Sequence, residues 1–255
     1  MPAIPNGISS ALGSGQTAIL VSTTTVGSDT FYLLNVATED EGGQLLAKID
    51  QSGNVSFPAG DAGVLSADTA AYTGHDLRSA FKDLKIPEGA VDLDWKSPAG
   101  AIILSLAQLN STLVSEAKAC VNTLVTKDVP GTDGGNLACA WAVNEVARRA
   151  LGRQIGGGLS TANMYLVLKA KHKQLSVGSQ MPGNVIISPT KGSNVGHVGI
   201  VGPSGQIYSN SSSRAVFYNK YTLNSWQAHY GDLKGLQVLF YQLDPAQFPE
   251  GAVGS

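Results

Sequence analysis

Four short apolar runs in the C-terminal part of the chain restrict its fold more than any other feature: NVIIS at 184–188, HVGIV at 197–201, QIYSNS at 206–211 and LQVLFYQL at 236–243. Each has the length of a strand and is bounded by Gly, Pro, Ser or Asn. Short apolar runs divided by such turn formers make an antiparallel sheet the expected arrangement. Two helical patterns precede them. One runs from about Leu137 to Leu151 and ends near Gly152. The other, TANMYLVLKAKH, follows Ser160 as N-cap, with Leu159 and Met164 as a hydrophobic staple. Helices packed on an antiparallel sheet make this region an α+β domain, spanning residues 126–245.

The rest of the chain divides by pattern. Residues 1–66 are β-rich, with TAILVS, DTFYLLNVA, QLLAKID and NVSF separated by Gly, Ser and Asp turns. Residues 67–125 turn helical, first in HDLRSAFKDL and then from about Ala101 to Val125. There Leu106, Leu109, Leu113, Ala117, Cys120 and Leu124 recur at helical spacing, which puts Cys120 on a buried stripe. The segment TKDVPGTDGGN is dense in turn formers and reads as a boundary or the entry to a site, and 246–255 reads as a tail.

Charge excludes some functions. Only 14% of residues are charged and the net charge is −2, so no basic field draws nucleic acid or anionic lipid. The first cationic side chain is Lys48, and no apolar segment has the form of a signal peptide or a membrane span. No His-Glu-x-x-His spacing suggests zinc, and Gly156–Gly158 lack the Lys-Ser/Thr of a phosphate loop, so no metal or cofactor is expected.

The chemistry is expected at Cys139. If Asn136 caps the helix, Cys139 is its third residue, where unpaired N–H groups and the positive end of the dipole favour thiolate. His197 opens a strand otherwise made of apolar residues and glycine, and a polar ring there asks for a role. If GPSGQ turns the chain about Ser204, His197 lies opposite Asn210 or Ser211 on the next strand. Asn210 is then able to orient the imidazole, giving a nucleophile, a proton shuttle and an orienting group. Cys120, on an apolar stripe, is expected to remain unpaired with Cys139. Trp141 is expected to pack. Trp226, His229 and Tyr230 either wall a groove or cover the sheet. Lys169, Lys171, His172 and Lys173 read as the solvated end of a helix.

NLACAWAVNEVARRALG, MPGNVIIS, GHVGIVG and IYSNSSS together resemble the papain-like peptidoglycan hydrolases of the CHAP and NlpC types, over roughly Thr126 to Asp244. The resemblance implies a papain-like fold with Cys139 as nucleophile, His197 as base and Asn210 as third member. It further implies a cysteine endopeptidase or N-acetylmuramoyl-L-alanine amidase that opens an amide bond in peptidoglycan peptide stems. Such an enzyme works outside the cytoplasm; without a visible signal peptide, delivery by a secretion system or phage particle is expected, with an immunity protein as a further partner. Three positions depart from the family pattern: Asn184 for the usual Asp, Ala138 for Gln, and Asp133 where a Gln donor to the oxyanion is common, which leaves the backbone N–H of Cys139 as donor. Two alternatives are a thiol acyltransferase or deamidase acting on protein, and a papain-like binding module without activity.

Overall fold

The computed structural model describes residues 3–13, 15–37, 42–57 and 102–249. The helical pattern around HDLRSAFKDL and the segment 250–255 lie outside the described residues, as does the boundary placed between 66 and 67. The architecture is mixed α and β with two antiparallel sheets. No described helix is long and apolar enough to cross a membrane.

The first sheet holds β1 (Thr17–Val26), β2 (Asp29–Ala37), β3 (Gly42–Ile49) and β4 (Val55–Ser56), paired in chain order. All four expected N-terminal runs therefore form strands. A short helix α1 (Asn6–Ala11), unmarked in the sequence pattern, lays Ile8 against Leu34, Val36, Leu45 and Ala47. Alternation along β2, with Leu34 and Val36, and along β3, with Leu45 and Ala47, puts those side chains on one face, which α1 covers.

The second sheet has six strands in the order β5 (Lys173–Leu175), β10 (Leu239–Gln242), β6 (Val185–Ser188), β7 (His197–Val201), β8 (Gln206–Ser211) and β9 (Val216–Thr222). Every pairing is antiparallel. Three helices, α2 (Leu106–Cys120), α3 (Cys139–Leu151) and α4 (Thr161–Lys171), contribute to one apolar cluster with one face of this sheet. Leu109, Leu113, Ala117 and Cys120 of α2, and Val143, Val146 and Ala147 of α3, meet Val185, Ile187, Val198, Ile200, Tyr208 and Phe217. The opposite face carries Ile186, Val201, Ile207, Tyr221 and Phe240, covered by α5 (Leu223–Trp226) and the π-helical turns Gln227–Leu233 that continue it.

This packing redraws two expected boundaries. Helix α2, assigned with 67–125, shares its core with the C-terminal sheet, and Leu124 and Asn122 bond to Phe217 on β9. Phe248, assigned to a tail, is also in that core. Helix α2 is shorter than the Ala101–Val125 pattern, because Ser105 closes a capping box with Gln108. The basic stretch is corrected in part, since Lys169 and Lys171 do fall in the last turn of α4. Lys173 begins β5, and the half-buried His172 accepts a hydrogen bond on Nδ1 from the Asp244 N–H at 3.1 Å.

Candidate functional site

Helix α3 begins two residues later than the sequence suggests, so Cys139 is its first residue rather than its third. The residue before it, Ala138, offers no side-chain cap, and Asn136 does not act as one. The preceding loop explains why. Leu137 N–H donates to Thr132 O at 2.7 Å and Asn136 N–H to Asp133 O at 3.2 Å, which commits both residues to turns. Asp133 itself has a left-handed backbone, φ 53°.

Two effects compete at the Cys139 sulfur. Its own N–H and that of Ala140 point at it and favour the thiolate, as the start of a helix should. Burial opposes them, since Cys139 is 3% exposed in an apolar cluster. Burial wins, and the thiol is pushed up to about 12. At neutral pH the group is an uncharged thiol. Cys120 is also a free, buried thiol; burial first, and its contact with Glu116 second, push it up to about 11.

His197 is the first residue of β7 and is fully buried. Its ring lies against Trp226, with centroids 5.4 Å apart, and against Tyr230 at 5.6 Å and 13° between planes; Tyr221 approaches edge-on at 6.3 Å. These aromatics belong to the face covered by α5, whereas the next residue, Val198, belongs to the cluster that holds Cys139. Neighbouring residues on a strand point to opposite faces. The imidazole and the thiol therefore lie on opposite faces of the sheet. Ser188, paired with His197, confirms the face by accepting from Trp226 Nε1 at 3.0 Å.

Register settles the third residue. The pairs Val201–Ile207, Ile200–Tyr208 and Gly199–Ser209 centre the hairpin on Ser204. Carried two residues further, this register sets His197 opposite Ser211 and Val198 opposite Asn210. Asn210 then shares the Cys139 face, as does Phe217, its partner on β9. Its side chain is occupied there: Oδ1 accepts from the Thr126 hydroxyl at 2.9 Å, and Nδ2 donates to Gly135 O at 3.0 Å. Asn210 thus clamps the loop that leads into Cys139. Gly135 is required at this point. Its φ is 96°, and a Cβ would meet Ala215 Cβ at 2.7 Å and Thr126 Oγ1 at 2.9 Å. Ser212 adds a further bond from the same strand end to Asn136 O, at 3.1 Å.

Cys139, His197 and Asn210 are consequently gathered at one end of the second sheet, where α3 starts, β7 starts and β8 ends. Two side chains share a face and the third occupies the other. The sequence reading missed the aromatic enclosure of His197; the Trp226–Tyr230 spacing, one helical turn, was its only signal. Trp226 and Tyr230, each 0% exposed, cover the sheet rather than wall a groove. Trp141 packs against the α2–α3 core as expected. Among the described residues, no group of three or more His, Cys, Asp and Glu is placed to hold a metal ion. Among family models, curated proteins and solved structures, none matches the chain.

Proposed function

We propose that residues 102–249 form a papain-like cysteine hydrolase that cleaves an amide bond in the peptide part of bacterial peptidoglycan. The observation that carries the reading is Cys139 at the first position of α3, with two backbone N–H groups directed at its sulfur, at the sheet end where His197 opens β7. In the reaction, the Cys139 thiolate attacks the carbonyl carbon and His197, as imidazolium, protonates the leaving amine. Water then releases the acyl group while the same histidine takes and returns its proton. The Cys139 N–H is the donor available to the oxyanion. Asn210 acts by holding the Thr126–Gly135 loop, and so positions the nucleophile rather than the base.

The conformation described above is then a resting one. Chemistry requires the thiol to lose its cover and the His197 ring to leave the Trp226–Tyr230 face. The substrate places the working enzyme in the cell-wall compartment. Mass analysis of muropeptides treated with wild type and with Cys139→Ala tests the proposal. New free amines with wild type alone are expected, and identical digests end it.

A second reading, an inactive papain-like binding module, is favoured by the separation of the His197 ring and the Cys139 thiol onto opposite faces. It predicts a Cys139 that stays unalkylated by iodoacetamide near neutral pH while purified peptidoglycan is present, and intact muropeptides that co-sediment with the protein. Modified protein beside intact muropeptides points instead to acyl transfer or deamidation.

A further inference from the structure

The loop that delivers His197 is held from both sides. Its hairpin, closed by Lys191 and Asn194, meets the N-terminal unit: Gln16 Nε2 donates to Ser193 O at 2.9 Å, and Val195, 1% exposed, completes the apolar cluster of Ile8, Leu34, Val36, Leu45 and Ala47. Two residues before His197, therefore, the chain is part of the core of the first sheet. The other side faces the π-helical turns. Asn194 Nδ2 donates to Lys234 O at 2.9 Å, and Lys234 Nζ donates to Val195 O at 3.3 Å while lying 5.4 Å from the Tyr230 ring centre. Between these anchors Gly196 donates to Thr190 Oγ1 at 2.9 Å and packs so closely on Ser188 O that no side chain fits.

We infer that the N-terminal sheet is an intramolecular restraint on His197: by building Val195 into its core, it keeps the imidazole on the Trp226–Tyr230 face, and its detachment lets the ring reach Cys139. The geometry makes such a change small. His197 is the first residue of β7, and releasing one residue from the end of a ladder frees it from the alternation that fixes its face. Once the ring reaches the thiol, the Cys139 S–H proton passes to an imidazole nitrogen, leaving a thiolate beside an imidazolium. No further reactant is involved. The inference rests on the cysteine-hydrolase reading and adds a control to it: the fraction of chains whose first sheet is undocked carries the wild-type activity, and detachment of that sheet raises it. A partner or a protease that removes the first sheet from the 191–195 hairpin is then the activator.

The test uses the full chain. Ile8→Asp places a charge in the apolar cluster that holds Val195, and Gln16→Ala removes the bond to Ser193. Three quantities are read: hydrogen exchange in residues 17–49, the ring-proton NMR signals of His197, and iodoacetamide labelling of Cys139 near neutral pH, followed by peptide mass analysis. With the restraint released, exchange rises, the His197 signals lose the displacement caused by the stacked rings, and labelling rises at least about tenfold. Raised exchange with unchanged His197 signals and unchanged labelling overturns the inference. His197 signals that move while labelling stays flat uphold the restraint and sink the Cys139–His197 pairing, so the two failures are separable. If Ile8→Asp does not fold, Ile8→Ala combined with Gln16→Ala supplies the same three readouts, and each outcome keeps the same meaning.

Discussion

Removing the Asn210 side chain separates a clamp from a catalytic orienting group. In Asn210→Ala, Gly135 O loses its side-chain donor and the Thr126 hydroxyl loses its acceptor, both at buried positions. Gly135 O keeps the Ala138 N–H at 3.3 Å, so it loses one net hydrogen bond of about 1 kcal/mol, while the buried Thr126 hydroxyl costs about 1–3 kcal/mol less what it recovers by rotating. A total of about 2 kcal/mol is therefore expected, equal to a fall in Tm of roughly 4–8 °C for a unit of this size. Thermal unfolding followed by tryptophan fluorescence reports it directly, since the buried Trp226 lies against the same sheet. Thr126→Val tests the bond from its other end. The two substitutions break one shared interaction, so together they cost less than their sum, by about 1 kcal/mol. A clamp also predicts faster hydrogen exchange in residues 126–139. An Asn210→Ala protein that unfolds within about 1 °C of wild type refutes the clamp. If such a variant also lacks the hydrolysis proposed for wild type, Asn210 orients the His197 ring instead.

Three further outcomes are expected. His172 is held down to about 4 by burial, with Lys171 and Arg153 adding to the effect and Asp244 opposing it. A depressed histidine leaves the folded state neutral while the unfolded chain takes a proton, so the contribution of His172 is full above about pH 6.5, falls by roughly 3 kcal/mol towards pH 4 and changes no further below; urea titrations across that range check it, and His172→Gln should flatten the slope there. Asn144 donates to Gly156 O and Gly158 O and accepts from Gly156 N–H. Asn144→Ala should cost about 3 kcal/mol and raise hydrogen exchange across 154–164, and a loss below about 0.5 kcal/mol would show the Gly156–Gly158 turn to be self-supporting. Trp226→Phe removes the Nε1–H to Ser188 bond while keeping a ring beside His197; a loss of about 1–2 kcal/mol with a shift of the His197 ring protons is expected, and unmoved protons would show that the two rings do not stack in solution.

What the sequence made legible follows from how local each signal is. All eight expected strand runs form strands, because an apolar run bounded by turn formers carries its own evidence. Strand β9, VFYNKYT, went unread because Asn219 and Lys220 break its apolar pattern, and only Phe217 and Tyr221 turn inward to the two clusters. The start of α3 was misplaced because the Asn136 and Leu137 N–H groups are bound by carbonyls of a loop whose path depends on Gly135 lying against Ala215, a contact far away in sequence. The site turned on a single residue of register. A hairpin centred on Ser204 left Asn210 and Ser211 as alternatives for the position opposite His197, and these point to opposite faces. Helix α3 and the π-helical segment both offer apolar cover, so nothing local in HVGIV tells which face receives the histidine. Tertiary packing decides it: Val198 and Ile200 fill the larger cluster beneath α3, which turns His197 and Val201 towards Trp226 and Tyr230. The same alternation that makes β7 easy to find in the sequence thus separates the imidazole from the thiol. A working Cys139–His197 pair must break that alternation at the strand's first residue, and the 191–195 hairpin holds the chain immediately before it.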